Sequence, residues 1–177
     1  MYNSGVDFQN LLAFVPEYCA SGRTTRLHYR LWTADSTLTV PSIARQACRE
    51  FSLDQKGLRN AARFVSGSPN LVPLPLWIGG TFFPVKSLAP RVPRDPAYGY
   101  YLLQGIVRVE KNDTGSTLVM LGETRFPVLQ TRTVVMNHIA RALLFERIFW
   151  SRRLGEIYLR QNGREQHGAQ DFRQQDQ

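Results

Sequence analysis

The chain has 177 residues, of which 43% are apolar and 20% are charged, a length and balance that favour one globular domain. It has no apolar run near the ~20 residues of a membrane-spanning helix and no secretory signal pattern, and its two cysteines are too few for a secreted disulfide scaffold. We therefore expect a cytoplasmic protein without a membrane partner.

The net charge of +8 is concentrated in one part of the chain. Residues 41–94 carry eight Lys or Arg and two acids, a net charge of +6, whereas residues 1–40 are neutral, 95–130 carry −1 and 131–177 carry +3. A concentrated basic block is more typical of a surface that binds a polyanion than of a charge that only confers solubility. Nucleic acid is therefore the first partner class to consider.

The N-terminal part predicts three strands, over residues 8–15, 24–33 and 37–40, with a turn at residues 34–36. The second strand alternates between apolar and basic side chains. Its two faces carry Leu27, Tyr29 and Leu31 on one side and Arg26, His28 and Arg30 on the other. This pattern predicts a half-buried strand with a cationic outer face, on which Arg26 and Arg30 are weaker candidates for anion binding.

Two helices are predicted next, over residues 41–51 and 53–65. In the first, Arg45 and Arg49 lie four residues apart and share a side. In the second, three basic residues at spacings of three and four also share one side: Lys56, Arg59 and Arg63. Because acids are nearly absent between them, this side favours anion binding over an ordinary solvated helix face.

The sequence next predicts an extended edge segment over residues 71–78 and a short strand over residues 81–85. A proline-spaced basic segment over residues 84–97 follows, and we call it the arm. The prolines and basic residues of the arm are Pro84, Pro90, Pro93 and Pro96, and Lys86, Arg91 and Arg94. Proline fixes φ and removes a backbone donor, so we expect a stiff, extended arm held out between two buried elements. Arginine on such a backbone suits a narrow minor groove of DNA.

Three strands over residues 98–110, 116–121 and 124–129 predict a β-meander. A helix over residues 131–160 follows; it is apolar around nearly its whole circumference, which is typical of a helix in the core or shared with another subunit. The polar, Gln-rich residues 161–177 predict a disordered tail. The sequence thus predicts an α+β fold in one domain, residues 1–160, with a mostly antiparallel sheet, one or two short helices and a long apolar C-terminal helix.

The residues that carry enzyme chemistry do not form a recognisable constellation. The cysteines and histidines lack metal-ligand spacing, no phosphate-binding glycine loop occurs, and the acids are dispersed singly. We therefore expect a protein without catalytic residues, bound metal or cofactor.

Short motifs between Ala47 and Phe149 occur in an order that belongs to a known family. They are Cys48-Arg49-x-Phe51, Gly57-x-Arg59, Pro73, Phe82-Phe83-Pro84-x-x-Ser87, the basic arm, the meander, and a helix entered through Gln130-Thr131-Arg132. In these the chain resembles the competence transcription factor (ComK) family of low-GC Gram-positive bacteria, as a divergent member. It lacks the Cys and Trp usual after the arm, having Pro96-Ala97-Tyr98-Gly99-Tyr100, and the Asn-Gly of the meander turn.

The resemblance implies a transcriptional activator of competence (DNA-uptake) genes that is associated with the nucleoid. It would read paired A/T-rich boxes through the minor groove, bend the DNA, form a homodimer or higher homo-oligomer, and be held in check by an adaptor–protease complex. Within the matching segment, we expect DNA contacts at Lys56, Arg59 and Arg63 on the second helix and at Lys86, Arg91 and Arg94 on the arm.

Three other functions stay open at this stage. The aromatic strand at residues 98–101 favours a single-stranded DNA- or RNA-binding protein if its rings are accessible, although core packing is the commoner fate of such residues. A non-catalytic protein-interaction module is the second alternative. A nuclease is the third, and it would need metal-dependent cleavage.

Overall fold

Antiparallel strands and helices form the α+β fold that the sequence predicts. The computed structural model describes residues 5–20, 22–67, 71–92 and 95–171, without the side chains of residues 66 and 156–171. The elements in chain order are β1 (Leu11–Cys19), β2 (Gly22–Tyr29), β3 (Thr33–Ser36), α1 (Val40–Glu50), α2 (Gln55–Ser66), β4 (Leu74–Trp77), β5 (Gly80–Lys86), β6 (Tyr98–Leu102), β7 (Ile106–Asn112), β8 (Gly115–Met120), β9 (Arg125–Val128) and α3 (Arg132–Asp171).

The strands form two antiparallel sheets. The large sheet has the order β3-β2-β1-β6-β5-β4, and the small sheet is the expected meander β7-β8-β9. The single strand predicted over residues 98–110 is wrong, because a 3-10 turn over Leu103–Gly105 divides it and carries the chain from one sheet to the other. Glycine suits this turn, since a Cβ on Gly105 would stand 2.8 Å from the terminal methyl of Met120.

Prolines lie inside three strands of the large sheet, each where one side of the strand lacks a neighbour: Pro75 in the edge strand β4, Pro16 in β1 and Pro84 in β5. β1 pairs with β6 only at Ala13 and Phe14, so Pro16 has a partner strand only on the side of β2. β4 reaches no further along β5 than Phe82, so Pro84 has a partner only in β6. Proline is tolerated at such positions because no ladder hydrogen bond is lost there. The prediction that β1 ends before Pro16 is therefore wrong.

The boundary between β3 and α1 also differs from the prediction. Residues 33–36 form β3, whereas a turn was expected at 34–36 and a strand over residues 37–40. Thr39 is instead the N-cap of α1, and its hydroxyl accepts a hydrogen bond from the backbone N–H of Ser42. Because β2 ends at Tyr29, Leu31 lies in the β2–β3 turn and is 96% exposed, where the alternation predicted burial.

Each face of the large sheet is covered by different elements. On one face, the rings of Phe14, Phe82 and Tyr100 pack together beneath α1 and α2. On the other face, Phe126 of the small sheet meets the ring of His28 edge-on, with the ring centroids 4.8 Å apart. Burial, assisted by the charge of Arg26, lowers the pKa of His28 to about 4. The cationic outer face predicted for β2 is thus wrong at His28, which is neutral and half-buried.

Helix α3 buries only one side. Val135, Ala142 and Phe145 are buried against β5 and the small sheet, whereas apolar side chains on the opposite side are exposed. Burial on all sides therefore does not explain why the helix is apolar around its circumference. The helix continues to Asp171, beyond the end expected at residue 160. Residues 161–171 of the predicted tail belong to this helix, and residues 172–177 lie outside the described residues. The division into a domain and a tail stays a prediction. No helix in the described ranges combines the length and apolarity needed to span a membrane.

Candidate nucleic-acid interface

A cleft of about 1190 Å³ lies between the two helices α1 and α2 and the end of the arm that leads into β6. Residues of α1 and α2 line it on one side, and Pro96, Ala97 and Tyr98 line it on the other. Leu74 and Pro84 of the large sheet also contribute to its surface. The cleft is therefore the place where the basic helix predicted from the sequence meets the base of the arm.

The capping of α2 and its buried side set the orientation of its basic residues. Asp54 is the N-cap, and its two carboxylate oxygens accept hydrogen bonds from the backbone N–H groups of Lys56 and Gly57, each at 2.9 Å. Leu58 and Ala62 are buried against the sheet, so the opposite side of α2 faces solvent. The basic residues on that side, exposed as predicted and all lining the cleft, are Lys56, Arg59 and Arg63.

Helix α1 adds two cations that the sequence analysis did not assign to a site. Arg45 is exposed and lines the same cleft. It also borders an adjoining depression of about 600 Å³, whose lining includes Arg49. The spacing of four between these arginines, within the basic block, was the signal that could have identified them. We refer to Arg45, Lys56, Arg59 and Arg63 as the cleft cations.

The cleft cations have no acidic partner in the ion pairs found across the described ranges. The arginines that do form ion pairs lie elsewhere: Arg23, Arg26, Arg108 and Arg125. Among the described residues that line the cleft, Asp54 is the single acid, and its carboxylate is occupied by the cap of α2. The positive charge of the cleft is therefore not compensated by ion pairs, and the walls of the cleft concentrate its field.

The arm is fixed at its base and along its described part. The backbone N–H groups of Ser87 and Leu88 both donate to the carbonyl oxygen of Ala97, at 2.9 and 3.1 Å, which closes the arm into a loop between β5 and β6. The guanidinium of Arg91 stacks on the ring of Tyr18, with Cζ 4.4 Å from the ring centroid. The expectation of an arm held out between two buried elements is therefore wrong at Arg91, which lies against Tyr18 at the end of β1.

A carboxylate completes this attachment. The Tyr18 hydroxyl donates to Asp95 at 2.5 Å and accepts from the backbone N–H of Arg91 at 2.8 Å. Arg23 forms an ion pair with the other oxygen of Asp95, also at 2.5 Å. Asp95 thus joins the arm to β1 and β2, while the side chain of Arg91 stays exposed.

The remaining predicted site residues have different surroundings. Lys86 ends β5 opposite Tyr98, on the strand face shared with Pro84, and its side chain is half-buried. Arg94 lies outside the described residues. Arg26 is held between Glu17 and Asp35 at 2.9 Å each, and its hydrogen bond to Asp35 raises its pKa.

Neither Arg26 nor Arg30 lines the cleft. Arg30 is exposed just after the end of β2 that lies away from the arm. The structure therefore brings the α2 cations and the base of the arm together, and it does not bring Arg26 or Arg30 to them.

The aromatic residues flanking the arm serve mainly the core. Phe82, Phe83 and Tyr101 are buried, as the sequence analysis preferred. The Tyr100 ring stacks on Phe14, its hydroxyl donates to the carbonyl of Val72 at 3.3 Å, and burial raises its pKa. Tyr98 and Tyr100, both half-buried, line the cleft, but Tyr100 is already stacked on Phe14.

The site offers charge and shape more than reactive groups. No three His, Cys, Asp or Glu side chains in the described part of the chain are grouped so that they could hold a metal ion. The chain matches no protein-family model, and comparison with curated proteins and with solved structures also gives no match.

Proposed function

We propose that the protein is a non-catalytic DNA-binding regulator whose cleft takes a sugar–phosphate backbone. One observation carries this proposal: four exposed cations surround one cleft, and none of them forms an ion pair with an acid in the described residues. A solvated surface designed only for solubility usually mixes both signs of charge. The concentration of four unpaired cations around one cleft supports a polyanionic ligand.

Phosphate contacts would come from α1 and α2. Cations at spacings of three and four along α2 can follow successive phosphates, and each neutralised phosphate releases condensed counterions. Such contacts fix register and supply affinity that does not depend on base sequence. The cleft cations therefore account for general DNA affinity.

Preference for A/T-rich boxes would come from the arm. A narrow A/T minor groove has the most negative potential and attracts arginine. Arg91 is exposed and held by Tyr18, which supports its assignment to the groove. Arg94 keeps the same proposed role from the sequence. The resemblance adds activation of DNA-uptake genes, assembly from dimers, control by an adaptor–protease complex and a place on the nucleoid.

A second candidate function is favoured by the shape of the cleft. It has walls on two sides, and its lining includes two aromatic rings, Tyr98 and Tyr100. A single strand of DNA or RNA uses such a groove, with bases stacked on aromatic side chains. Because Tyr100 and Tyr101 are committed to the core, one accessible ring offers less stacking than a platform of several.

The test measures binding by fluorescence anisotropy to an A/T-box duplex and a G/C duplex of about 20 base pairs and to an oligo(dT) of similar length, at about 50 to 300 mM salt. The wild-type protein should prefer the A/T duplex. The variant Lys56→Ala/Arg59→Ala/Arg63→Ala should weaken binding to both duplexes equally and reduce the salt slope by about 2.7.

The matched control removes three exposed cations away from the cleft: Arg30→Ala/Lys111→Ala/Arg152→Ala. It has the same net charge as the α2 variant but should keep most of the affinity. Equal losses in the two variants would mean that net charge, not the cleft, binds DNA. Stronger binding to oligo(dT) would favour the second candidate, and absence of binding at low salt would leave the protein-interaction module.

A further inference from the structure

The exposed side of α3 carries an apolar stripe. Met136, Leu143, Leu144 and Leu154 are 42%, 50%, 50% and 51% exposed, although each is a large apolar side chain. Met136, Leu143 and Leu154, together with Ala140 and Arg147, which are also exposed, follow one line along the helix for about 27 Å, and Leu144 lies beside this line. The buried residues Val135, Ala142 and Phe145 lie on the other side of the helix. The stripe is thus separate from the core contact of α3.

The spacing along this stripe alternates between four and three. The positions that follow it are Met136, Ala140, Leu143, Arg147, Trp150 and Leu154. This is the heptad spacing of a helix that packs along its length against another helix. A helix that is needed only to cover the core shows one apolar side, so the second one needs a different explanation.

The stripe is complementary to itself when two copies run antiparallel. In the register that pairs Met136 with Leu154, Ala140 meets Trp150 and Leu143 meets Arg147 of the other copy. The small side chain of Ala140 then faces the large ring of Trp150. The aliphatic stem of Arg147 covers Leu143, while its charge reaches solvent. A parallel pair in register would instead place the two Arg147 side chains against each other, which costs electrostatic energy.

We propose that α3 forms an antiparallel homodimer seam through this stripe, with a second copy of the chain as its occupant. Self-complementarity under a two-fold axis is what an isologous dimer requires, since the same patch must serve on both copies. The seam lies on the side of α3 that faces away from the core, with the half-buried Trp150 at its border, and none of its residues lines the cleft. The seam rests on the dimer assembly included in the proposed function, but it does not depend on the proposed DNA binding, so each can fail without the other.

The experiment measures mass by light scattering and sedimentation equilibrium at about 1 to 100 µM protein without DNA. The wild-type protein should be a dimer at the upper concentrations. Leu143→Lys should be monomeric, because the new lysine would face Arg147 of the partner copy. Leu143→Glu should remain dimeric, because its carboxylate can pair with the same arginine.

Val107→Lys is the matched control, since Val107 is also a large exposed apolar residue but lies in β7, away from the stripe. It should not change the mass, and circular dichroism should show that all variants keep their helix content. A wild-type monomer at the highest concentration would overturn the proposal, as would a Leu143→Lys dimer. A monomeric Leu143→Glu variant would overturn the antiparallel register.

Discussion

The guanidinium of Arg91 stacks on the ring of Tyr18, which lies 73 residues earlier in the chain. The same tyrosine hydroxyl links the backbone of Arg91 to the carboxylate of Asp95. An arginine held in this way loses less conformational entropy when it binds than one on a free loop. We therefore regard Tyr18 as the residue that positions Arg91 for the proposed minor-groove contact.

Removing Tyr18 should lower base selectivity more than general affinity. Tyr18→Ala eliminates the stack and both hydrogen bonds, and we expect the ratio of dissociation constants for G/C and A/T duplexes to fall by about two- to fivefold, as the strength of an exposed cation–π contact implies. Tyr18→Phe keeps the ring, so the same ratio should fall less than in Tyr18→Ala. Arg59→Ala serves as the comparison, since it should weaken both duplexes and leave the ratio unchanged. An unaltered ratio in Tyr18→Ala would remove this role.

Asp54 has two separable effects, one on folding and one on charge. As the N-cap of α2 it satisfies two backbone N–H groups, and Asp54→Ala should reduce the free energy of unfolding by about 1 kcal/mol. Asp54→Ser can still cap the helix and should retain most of that stability. Both variants remove the acid that lines the cleft, so both should bind duplex DNA more tightly at low salt.

Urea unfolding and anisotropy on the two Asp54 variants separate these effects. Equal destabilisation by Ser and Ala would show that the cap is not the stabilising interaction. Unchanged DNA affinity in both would place the bound phosphates away from the end of α2.

Protonation of His28 should destabilise the fold in mild acid. Burial under Phe126 lowers its pKa to about 4, so between about pH 6.5 and pH 4 the unfolded chain binds a proton that the folded protein excludes. The contribution is fully present above pH 6.5 and is lost as the pH falls toward 4. Because part of the ring reaches solvent, we expect a loss of about 1 to 2 kcal/mol at about pH 5.

His28→Gln cannot titrate and should show a smaller loss of stability between about pH 7 and about pH 5, measured by urea unfolding. Some dependence should remain, since burial also lowers the pKa of His138. The carboxyls of Glu110 and Glu123, whose pKa values are lowered by hydrogen bonds from Arg108, affect a more acidic range. The same pH dependence in the variant and the wild type would refute the assignment to His28.

Gly80 is required by the ring that lies over it. A Cβ at this position would stand 1.8 Å from Cε2 of Trp77, and Trp77 in turn contacts Phe51 and Phe82. Gly80→Ala would displace the indole from this cluster, and we expect about 1 to 3 kcal/mol of destabilisation by thermal or urea unfolding. Gly5→Ala, where a Cβ meets nothing within 4 Å, is the control and should be neutral. A neutral Gly80→Ala would show that the indole can move aside at little cost.

The sequence by itself determined the features that depend on neighbours close in the chain. Spacings of three and four placed Lys56, Arg59 and Arg63 on one side of α2. The excess of basic residues between 41 and 94 likewise identified the part of the chain that surrounds the cleft. Local periodicity is sufficient here because a helix turns by a constant angle per residue.

Only the tertiary structure decided which charges are neutralised and where the arm lies. Arg26 is a cation in the sequence but is held by Glu17 and Asp35, which come from the strands on either side of β2. The arm contains prolines that predict a projecting segment, yet its described part is held by Tyr18 of β1 and by Arg23 of β2. Partners of this kind depend on how distant strands pair, and strand register is set by the whole core rather than by the residues concerned.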